Sequence, residues 1–248
     1  MAQYLGVQHF EAGPVAVRSI GGEIVESSAG LRLNRDPGTH LPRIAAAQID
    51  ALTIGVAVDA WPVALPNIRR LTLDARCEMR GLAEAFPNLE RLRIGDGVRS
   101  FDAHHLVRMQ NLIELDVAHV QVERVDALAA LPRLRALRLA HIAHLRTLEP
   151  LEGIALEVLA IEALPALEPP AALRACTSLE QIELRAMWQW TIEECAWLFD
   201  LPNLVRVEAD IGGRRKNVEL YRRARWAHPW PVFSDARVTS VAPLERSD

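Results

Sequence analysis

The chain has 248 residues, of which 50% are hydrophobic and 24% charged, and its formal net charge is −4. This profile is that of a globular protein with enough apolar residues for a core, and no apolar run approaches the roughly 18 residues of a transmembrane helix. The start of the chain has no basic leader followed by an apolar block, which argues against a signal peptide. Three widely spaced cysteines suit a reducing compartment, so we expect a cytoplasmic protein.

The first 43 residues contain no clear internal repeat. Their segment EIVESSAGLRLNRD, residues 23–36, alternates apolar and polar residues enough to predict one or two strands. We therefore expect residues 1–43 to form a terminal unit that differs from the rest of the chain.

A six-residue phrase of the form LxxLxL recurs between residues 44 and 212. Its clear copies follow one another at intervals of 21 to 25 residues, and a fainter copy precedes them. The copies begin at Ile49, Ile68, Leu89, Leu112, Leu134, Leu156, Leu179 and Leu204. A coiled coil does not fit this spacing, and the segments between copies are too short for the full helices of a doubly wound sheet. The pattern instead predicts about eight structural repeats.

These repeats resemble the leucine-rich repeat family, in the class with units of about 22 residues. Each LxL triplet is interpreted as a short strand whose alternate side chains point into the core. An apolar return residue precedes six of the copies by three places, as at Leu65 and Phe86. The resemblance implies an α/β repeat, a leucine-rich repeat solenoid with a parallel concave sheet. Because terminal repeats would otherwise expose apolar edges, we expect an N-terminal cap at residues 1–43 and a C-terminal cap at 213–248.

One position departs from the family pattern. The usual unit has an asparagine after the strand, and its side chain bonds the backbone of the turn. Here the position is apolar in four of seven units, at Val120, Ile142, Leu164 and Met187. We expect these turns to be packed by apolar side chains rather than joined by amide hydrogen bonds.

The residues between and beside the inward-facing leucines are predicted to form the outer wall of the concave sheet. Eight parallel strands would span roughly 35 to 40 Å, enough for one side of a protein interface. The alternative is a solvated face whose charges pair across strands, Arg93 with Asp116 and Asp116 with Arg138. The predicted partner-binding residues are Arg70, Arg91, Arg93, Glu114, Asp116, Arg138, Glu162, Glu183, Arg185, Arg206 and Glu208.

The C-terminal part carries five of the six tryptophans, from Trp188 onward, and large aromatic side chains suit the closing of a solenoid end. The segment TIEECAWLFDLPN is predicted to be helical, with Thr191 and Glu194 as a capping box. A further helix is expected from Asn217 to about Ala227. From residue 211 onward there are eight basic and four acidic residues, so this tail is predicted to cap the solenoid, with nucleic-acid binding as the alternative.

Candidate catalytic and metal-binding groups are few. His119 and His141 occupy the same place in consecutive repeats and are expected to stack within about 5 Å, but no Cys or carboxylate joins them at a zinc-ligand spacing. Cys195 follows two glutamates, whereas a reactive thiolate needs positive surroundings. No GxSxG, P-loop, HExxH or GxGxxG motif occurs. We therefore expect no enzyme activity, no cofactor and no metal ion.

Together these observations predict a cytoplasmic, non-enzymatic solenoid, bacterial in origin, that engages another protein through its concave face. One version is an inhibitor, such as an immunity protein that covers the active site of a toxin. The alternative is a scaffold or regulatory subunit, or an effector directed to a host. RNA binding through the basic tail is less favoured, and no membrane role is expected.

Overall fold

The computed structural model describes residues 18–20, 24–27, 30–34, 41, 44, 49–98, 101–122, 124–227 and 232–233. Within these residues twelve strands form one sheet, and the order of the strands in the sheet is their order in the chain. The strands are β1 (Arg18–Ile20), β2 (Ile24–Ser27), β3 (Gly30–Leu33), β4 (Ala51–Ile54), β5 (Arg70–Leu73), β6 (Arg91–Ile94), β7 (Glu114–Ala118), β8 (Ala136–Ala140), β9 (Val158–Glu162), β10 (Gln181–Arg185), β11 (Arg206–Ala209) and β12 (Val232–Phe233).

Strands β4–β11 coincide with the eight copies of the repeated phrase, so the predicted repeats are confirmed, including the faint first copy. Each of them pairs with the next in parallel. At the N-terminal end β1, β2 and β3 are antiparallel, and β3 then pairs with β4 in parallel. Residues 23–36, for which one or two strands were predicted, contain β2 and β3, and β1 is an additional strand before them.

The core runs along the sheet as one continuous layer. Corresponding leucines of successive strands stand opposite each other, as Leu71, Leu92, Leu115 and Leu137 do. None of these four side chains is more than 1% exposed, and all belong to a single cluster that extends from Leu31 to Leu220. Each repeat therefore buries its apolar edge only against its neighbours, which is why the units must stack.

Short helical segments carry the chain back between strands. They are the α-helix α1 (Leu82–Ala85) and 3₁₀ helices at Ala103–Leu106, Asp126–Ala130, Glu149–Leu151, Ala171–Ala175 and Ala196–Asp200. The prediction of a helix beginning at Thr191 was wrong in type, since turns lead into the 3₁₀ helix at Ala196–Asp200. A 3₁₀ helix rises about 2.0 Å per residue, compared with about 1.5 Å in an α-helix, and so spans the return in fewer residues.

The predicted capping box between Thr191 and Glu194 is nevertheless present. The backbone N–H of Glu194 donates to Thr191 Oγ1 over 3.2 Å, and the backbone N–H of Thr191 donates to Glu194 Oε2 over 2.7 Å. The box thus closes a turn rather than the first turn of an α-helix.

The turns after the strands are packed as predicted. Val120, Ile142, Leu164 and Met187 are all buried in the core cluster. One amide bond still joins two of these turns, since Gln189 Nε2 donates to the Leu164 carbonyl over 2.8 Å. Further side-chain hydrogen bonds between units lie at the entry to the strands, where polar side chains donate to a backbone carbonyl of the preceding unit. These bonds are Asn88 to Pro66, Asn111 to Pro87, Ser178 to Leu156 and Asn203 to Thr177.

The second α-helix, α2 (Arg214–Ala227), lies against the last long strand and begins three residues earlier than predicted. Its Tyr221 hydroxyl accepts from the backbone N–H of Ala209 over 2.8 Å and donates to the carbonyl of the same residue over 3.0 Å. Leu220 is fully buried, and β12 then adds to β11 in parallel. The helix therefore satisfies backbone groups at the end of β11, although the domain boundaries at residues 43 and 212 stay predictions.

Candidate functional site

The outward-facing residues of the concave sheet form columns in which residues of neighbouring strands stand opposite each other. In the middle column Arg93 pairs in register with Asp116, Asp116 with Arg138, and Glu183 with Glu208. Adjacent strands lie about 4.8 Å apart, so side chains in one column are within reach of an ion pair. The register therefore decides which charges meet, and it brings the eleven predicted partner-binding residues onto one face.

The centre of this face is a chain of ion pairs. Arg138 Nη1 donates to Asp116 Oδ1 over 3.1 Å, and its Nη2 donates to Glu162 Oε2 over 2.5 Å. Arg93 Nε lies 3.6 Å from Asp116 Oδ2. The Asp116 side chain is only 6% exposed, and burial raises its pKa against the opposing effect of Arg138 and Arg93. The pairing foreseen as the alternative to a binding face thus occurs at Arg93, Asp116 and Arg138.

Four arginines of the face remain accessible. The side chains of Arg70, Arg91, Arg93 and Arg185 are between 40% and 62% exposed. Three of them are held by neighbouring carboxylates: Arg70 by Asp50 at 3.0 Å, Arg91 by Glu114 at 3.3 Å and Arg185 by Glu208 at 3.1 Å. Arg93 forms no hydrogen bond with a described residue, because its contact with Asp116 is longer than a hydrogen bond. The other predicted residues are less exposed.

A cavity of about 270 Å³ opens where strands β5–β8 end, lined in part by Arg93, Asp96 and Arg138. Two further lining residues, His119 and His141, stack with their ring centroids 4.3 Å apart, as predicted. Both have a left-handed backbone, with φ of 58° and 54°, and Ala163 and Ala186 repeat this conformation in the next units. Among the described residues no group of three or more metal-ligating side chains occurs.

These observations decide the architecture. Units of 21 to 25 residues each contribute one short parallel strand, one apolar turn and one short helical return to a shared core. The chain folds as a leucine-rich repeat solenoid.

Comparison with solved structures finds proteins of the same architecture. The solenoid is similar to internalin C2 of Listeria monocytogenes, at 20% identity and a TM-score of 0.45 over 60% of this chain and 66% of that one. A second Listeria monocytogenes internalin, inlF, has 14% identity and a TM-score of 0.49 over 73% and 62%. A leucine-rich repeat protein of Leptospira interrogans has 12% identity and a TM-score of 0.31 over 75% of each chain.

The solenoid therefore spans just under two thirds of the lengths of the two internalins. No protein-family model and no curated protein matches its sequence. With identities this low, the fold assignment rests on the solenoid's own strands and registers.

The cysteines of the solenoid are buried and free, at Cys77, Cys176 and Cys195. Burial, with an added contribution from Glu194, raises the pKa of the Cys195 thiol to about 12. A thiol with such a pKa is protonated at neutral pH, so Cys195 is not an activated nucleophile.

The basic residues of α2 are partly occupied within the solenoid. Arg222 and Arg223 both donate to Glu219, and Arg223 also donates to Glu193 over 3.1 Å. The ammonium group of Lys216 donates to three backbone carbonyls. These engagements leave few free cations among the described residues of the helix for a phosphate backbone.

The described tryptophans of the C-terminal part divide into two kinds, which the sequence analysis did not predict. Trp190 and Trp197 are buried and fill the C-terminal part of the core, and Trp190 Nε1 donates to the carbonyl of Leu167 over 3.0 Å. Trp188, two residues before Trp190, is 67% exposed. The side chains of Trp226 and Trp230 lie outside the described residues. Among the described residues, every helix is too short or too polar to traverse a bilayer.

Proposed function

We propose that this solenoid is a non-enzymatic protein-binding module that takes a partner protein on its concave face. The observation that supports this most directly is the set of half-exposed arginines, Arg70, Arg91, Arg93 and Arg185, fixed on a rigid sheet. Arginine is enriched among the residues that dominate protein interfaces. Three of these guanidinium groups already have a neighbouring carboxylate that positions them, so less side-chain entropy is lost on binding.

The interface would take its charge pattern from both ends of the sheet. Glu114 stands opposite Arg91 and Glu162 opposite Arg185, whereas Glu183 and Glu208 stand opposite each other. A partner with its own mixed charges fits this pattern, and complementary charges would govern orientation and association rate more than affinity. The buried Asp116 would act differently from the others, because it accepts a hydrogen bond from Arg138 and is too enclosed to reach a partner.

We favour one version of this function, in which the solenoid is a bacterial inhibitor of the immunity-protein kind. A continuous curved face of roughly 35 to 40 Å is large enough to cover the active site of an enzyme. A scaffold or regulatory subunit, or an effector directed to a host, would use the same face. The buried, unpaired cysteines are consistent with our expectation of a cytoplasmic location.

A charge-reversal experiment tests the concave face. Arg70→Glu combined with Arg91→Glu changes two exposed arginines of the face, while the control Arg108→Glu combined with Arg174→Glu makes the same change of charge on the helical side. We expect affinity capture from a lysate of the source organism to recover one dominant protein with wild type and with the control variant, and to lose it with the concave variant. Reversal of Asp116 is avoided because it would disrupt the buried ion pairs.

The recovered protein, once purified, distinguishes the versions of the function. Isothermal titration should give a defined stoichiometry that the concave variant abolishes. If the recovered protein is an enzyme and one equivalent of the solenoid stops its turnover, the inhibitor version holds. Equal capture by the concave variant, or recovery of RNA in place of a protein, would contradict the proposal.

A further inference from the structure

Trp188 lies in a position where the repeat does not require a large apolar side chain. Four non-glycine residues, one after each of β7–β10, have a left-handed backbone, and each is followed, two residues later, by an exposed residue: Gln121, Ala143, Pro165 and then Trp188. The first three are small or polar, and their turns have the same backbone conformation. Packing between repeats therefore does not explain a tryptophan here, and Trp190 and Trp197 already fill the core at this end.

The exposed tryptophan is nevertheless held in place by its surroundings. Gly212, with φ of 103°, lies beside its base, where an added Cβ would stand at van der Waals distance, 3.4 Å from Trp188 Cα and Cβ and 3.5 Å from Cδ1. The ammonium group of Lys216 donates to the Trp188 carbonyl over 3.3 Å. A large aromatic side chain that is fixed at its base and free at its tip loses little entropy when a partner covers it.

Uncompensated positive charge adjoins this tryptophan. Arg214 and Arg215 stand between Gly212 and Lys216 in the chain, are exposed, and form no ion pair with any described residue. The first turn of α2 contains no acidic residue. Basic side chains at the start of a helix oppose its partial positive charge, so the helix gains no stability from these two arginines.

The same corner continues the concave face. Trp188 follows Arg185, the last residue of β10, whose half-exposed side chain is paired with Glu208. A partner that covers the concave sheet and extends past the ends of the strands would therefore contact Trp188 and the two arginines. Buried tryptophan and arginine side chains are the residues that most often dominate an interface.

We infer that Trp188, Arg214 and Arg215 form the anchor of the interface and bind a segment of the partner protein in which an apolar side chain is flanked by aspartate or glutamate. The apolar side chain covers the indole, and the carboxylates meet the two guanidinium groups, with which carboxylates form bidentate pairs. This inference rests on the proposed function, which it deepens by naming the chemistry of the partner.

The test uses a phage-displayed library of random 12-residue peptides, selected on the full-length solenoid, followed by fluorescence anisotropy with the strongest synthetic peptide. We expect selected peptides to carry acidic residues beside a large apolar residue. Trp188→Ser should weaken binding at least tenfold, and Arg214→Ser combined with Arg215→Ser should weaken it severalfold and reduce its salt dependence. Val205→Ser removes another exposed apolar side chain, at the entry to β11, and should leave binding unchanged.

Several results would overturn the inference. The first is that the selected peptides lack acidic residues, and the second is that they bind wild type and Trp188→Ser equally. The third is a melting temperature lowered by several degrees in Trp188→Ser, because this would show that the indole is a packing residue. Dimerisation that Trp188→Ser abolishes would assign the surface to a second copy. Binding of a labelled single-stranded RNA that depends on Trp188 would assign it to a nucleic acid.

The native partner separates this inference from the proposed function. Loss of capture in the Arg70→Glu, Arg91→Glu variant with full capture by Trp188→Ser would leave the concave face standing and refute the anchor. Loss of capture in Trp188→Ser with full capture by the concave variant would refute the concave face as the binding surface and leave the anchor standing.

Discussion

Lys216 is the only lysine of the chain, and its ammonium group joins three backbone carbonyls at the C-terminal end of the solenoid. Its Nζ lies 3.0 Å from the carbonyl oxygen of Trp190 and 3.3 Å from those of Trp188 and Ile211. A compact ammonium group has three rotatable donors, whereas the planar guanidinium group of arginine presents its donors in a fixed fork. The geometry therefore accounts for a lysine at this position in a chain that otherwise uses arginine.

Replacing Lys216 with methionine removes these three bonds while keeping most of the apolar stem. A hydrogen bond from a charged group contributes roughly 1.5 to 3 kcal/mol, and the two bonds of 3.3 Å lie beyond the usual distance and contribute less. We therefore expect a local loss of about 2 kcal/mol, which corresponds to a roughly 30-fold increase in opening. Because a solenoid unit contacts only its neighbours, the loss should be confined to the C-terminal end.

Hydrogen exchange followed by mass spectrometry can show whether the loss of stability is restricted to the C-terminal end. Peptides covering residues 210–227 should exchange roughly 30-fold faster in Lys216→Met, while peptides from β6–β8 should be unchanged. Arg215→Met, which removes an exposed neighbouring charge that opposes the partial positive charge of the helix start, serves as the control and should exchange no faster than wild type. Unchanged exchange in Lys216→Met, or full protection in Lys216→Arg, would refute the reasoning from three converging carbonyls.

Four further predictions concern charge and thiol chemistry. Arg138→Leu removes the partner of Asp116 and Glu162 and should cost about 3 kcal/mol at pH 7. The cost should be smaller in acid, because burial raises the pKa of Asp116 and its protonated form does not need the partner. Exposed Arg80→Leu should change the free energy of unfolding in urea by under about 0.5 kcal/mol. Burial raises the pKa of Glu183, so its charged form opposes folding. Glu183→Gln should therefore have a higher melting temperature than wild type at pH 7 and the same melting temperature as wild type below pH 4.5. Arg222 and Arg223 lower the pKa of Glu219 to about 2, so the stabilisation by its charged form is lost as the pH falls through 2. Glu219→Gln should therefore have a lower melting temperature than wild type at pH 7. Melting temperatures of Glu183→Gln and Glu219→Gln that change in the same direction at pH 7 would contradict these opposite effects. Finally, the three buried thiols should resist alkylation at pH 8 in the native protein and react fully in urea; rapid native labelling would show an accessible thiolate.

The candidate site could be predicted only in outline. The spacing of the repeats correctly placed Arg93, Asp116 and Arg138 in one column, because parallel strands in register align equivalent positions. It did not reveal that Asp116 is buried while Arg93 stays half-exposed, since burial depends on the length of the side chains in neighbouring columns. The exposure of Trp188 was missed for a similar reason: it lies two residues from a buried tryptophan in the same tryptophan-rich segment.

The sequence by itself determined the number of repeats, the strand positions and the inward-facing residues, because the leucine pattern that specifies them is contained within the residues of each unit. The tertiary structure alone decided the helical type of the returns, the side-chain bonds at the strand entries and the lysine that joins three carbonyls. The bonds at the strand entries, and those of Lys216 to Trp188 and Trp190, join atoms a whole unit or more apart in the chain. Such distances follow from how the units stack, and no single unit encodes them.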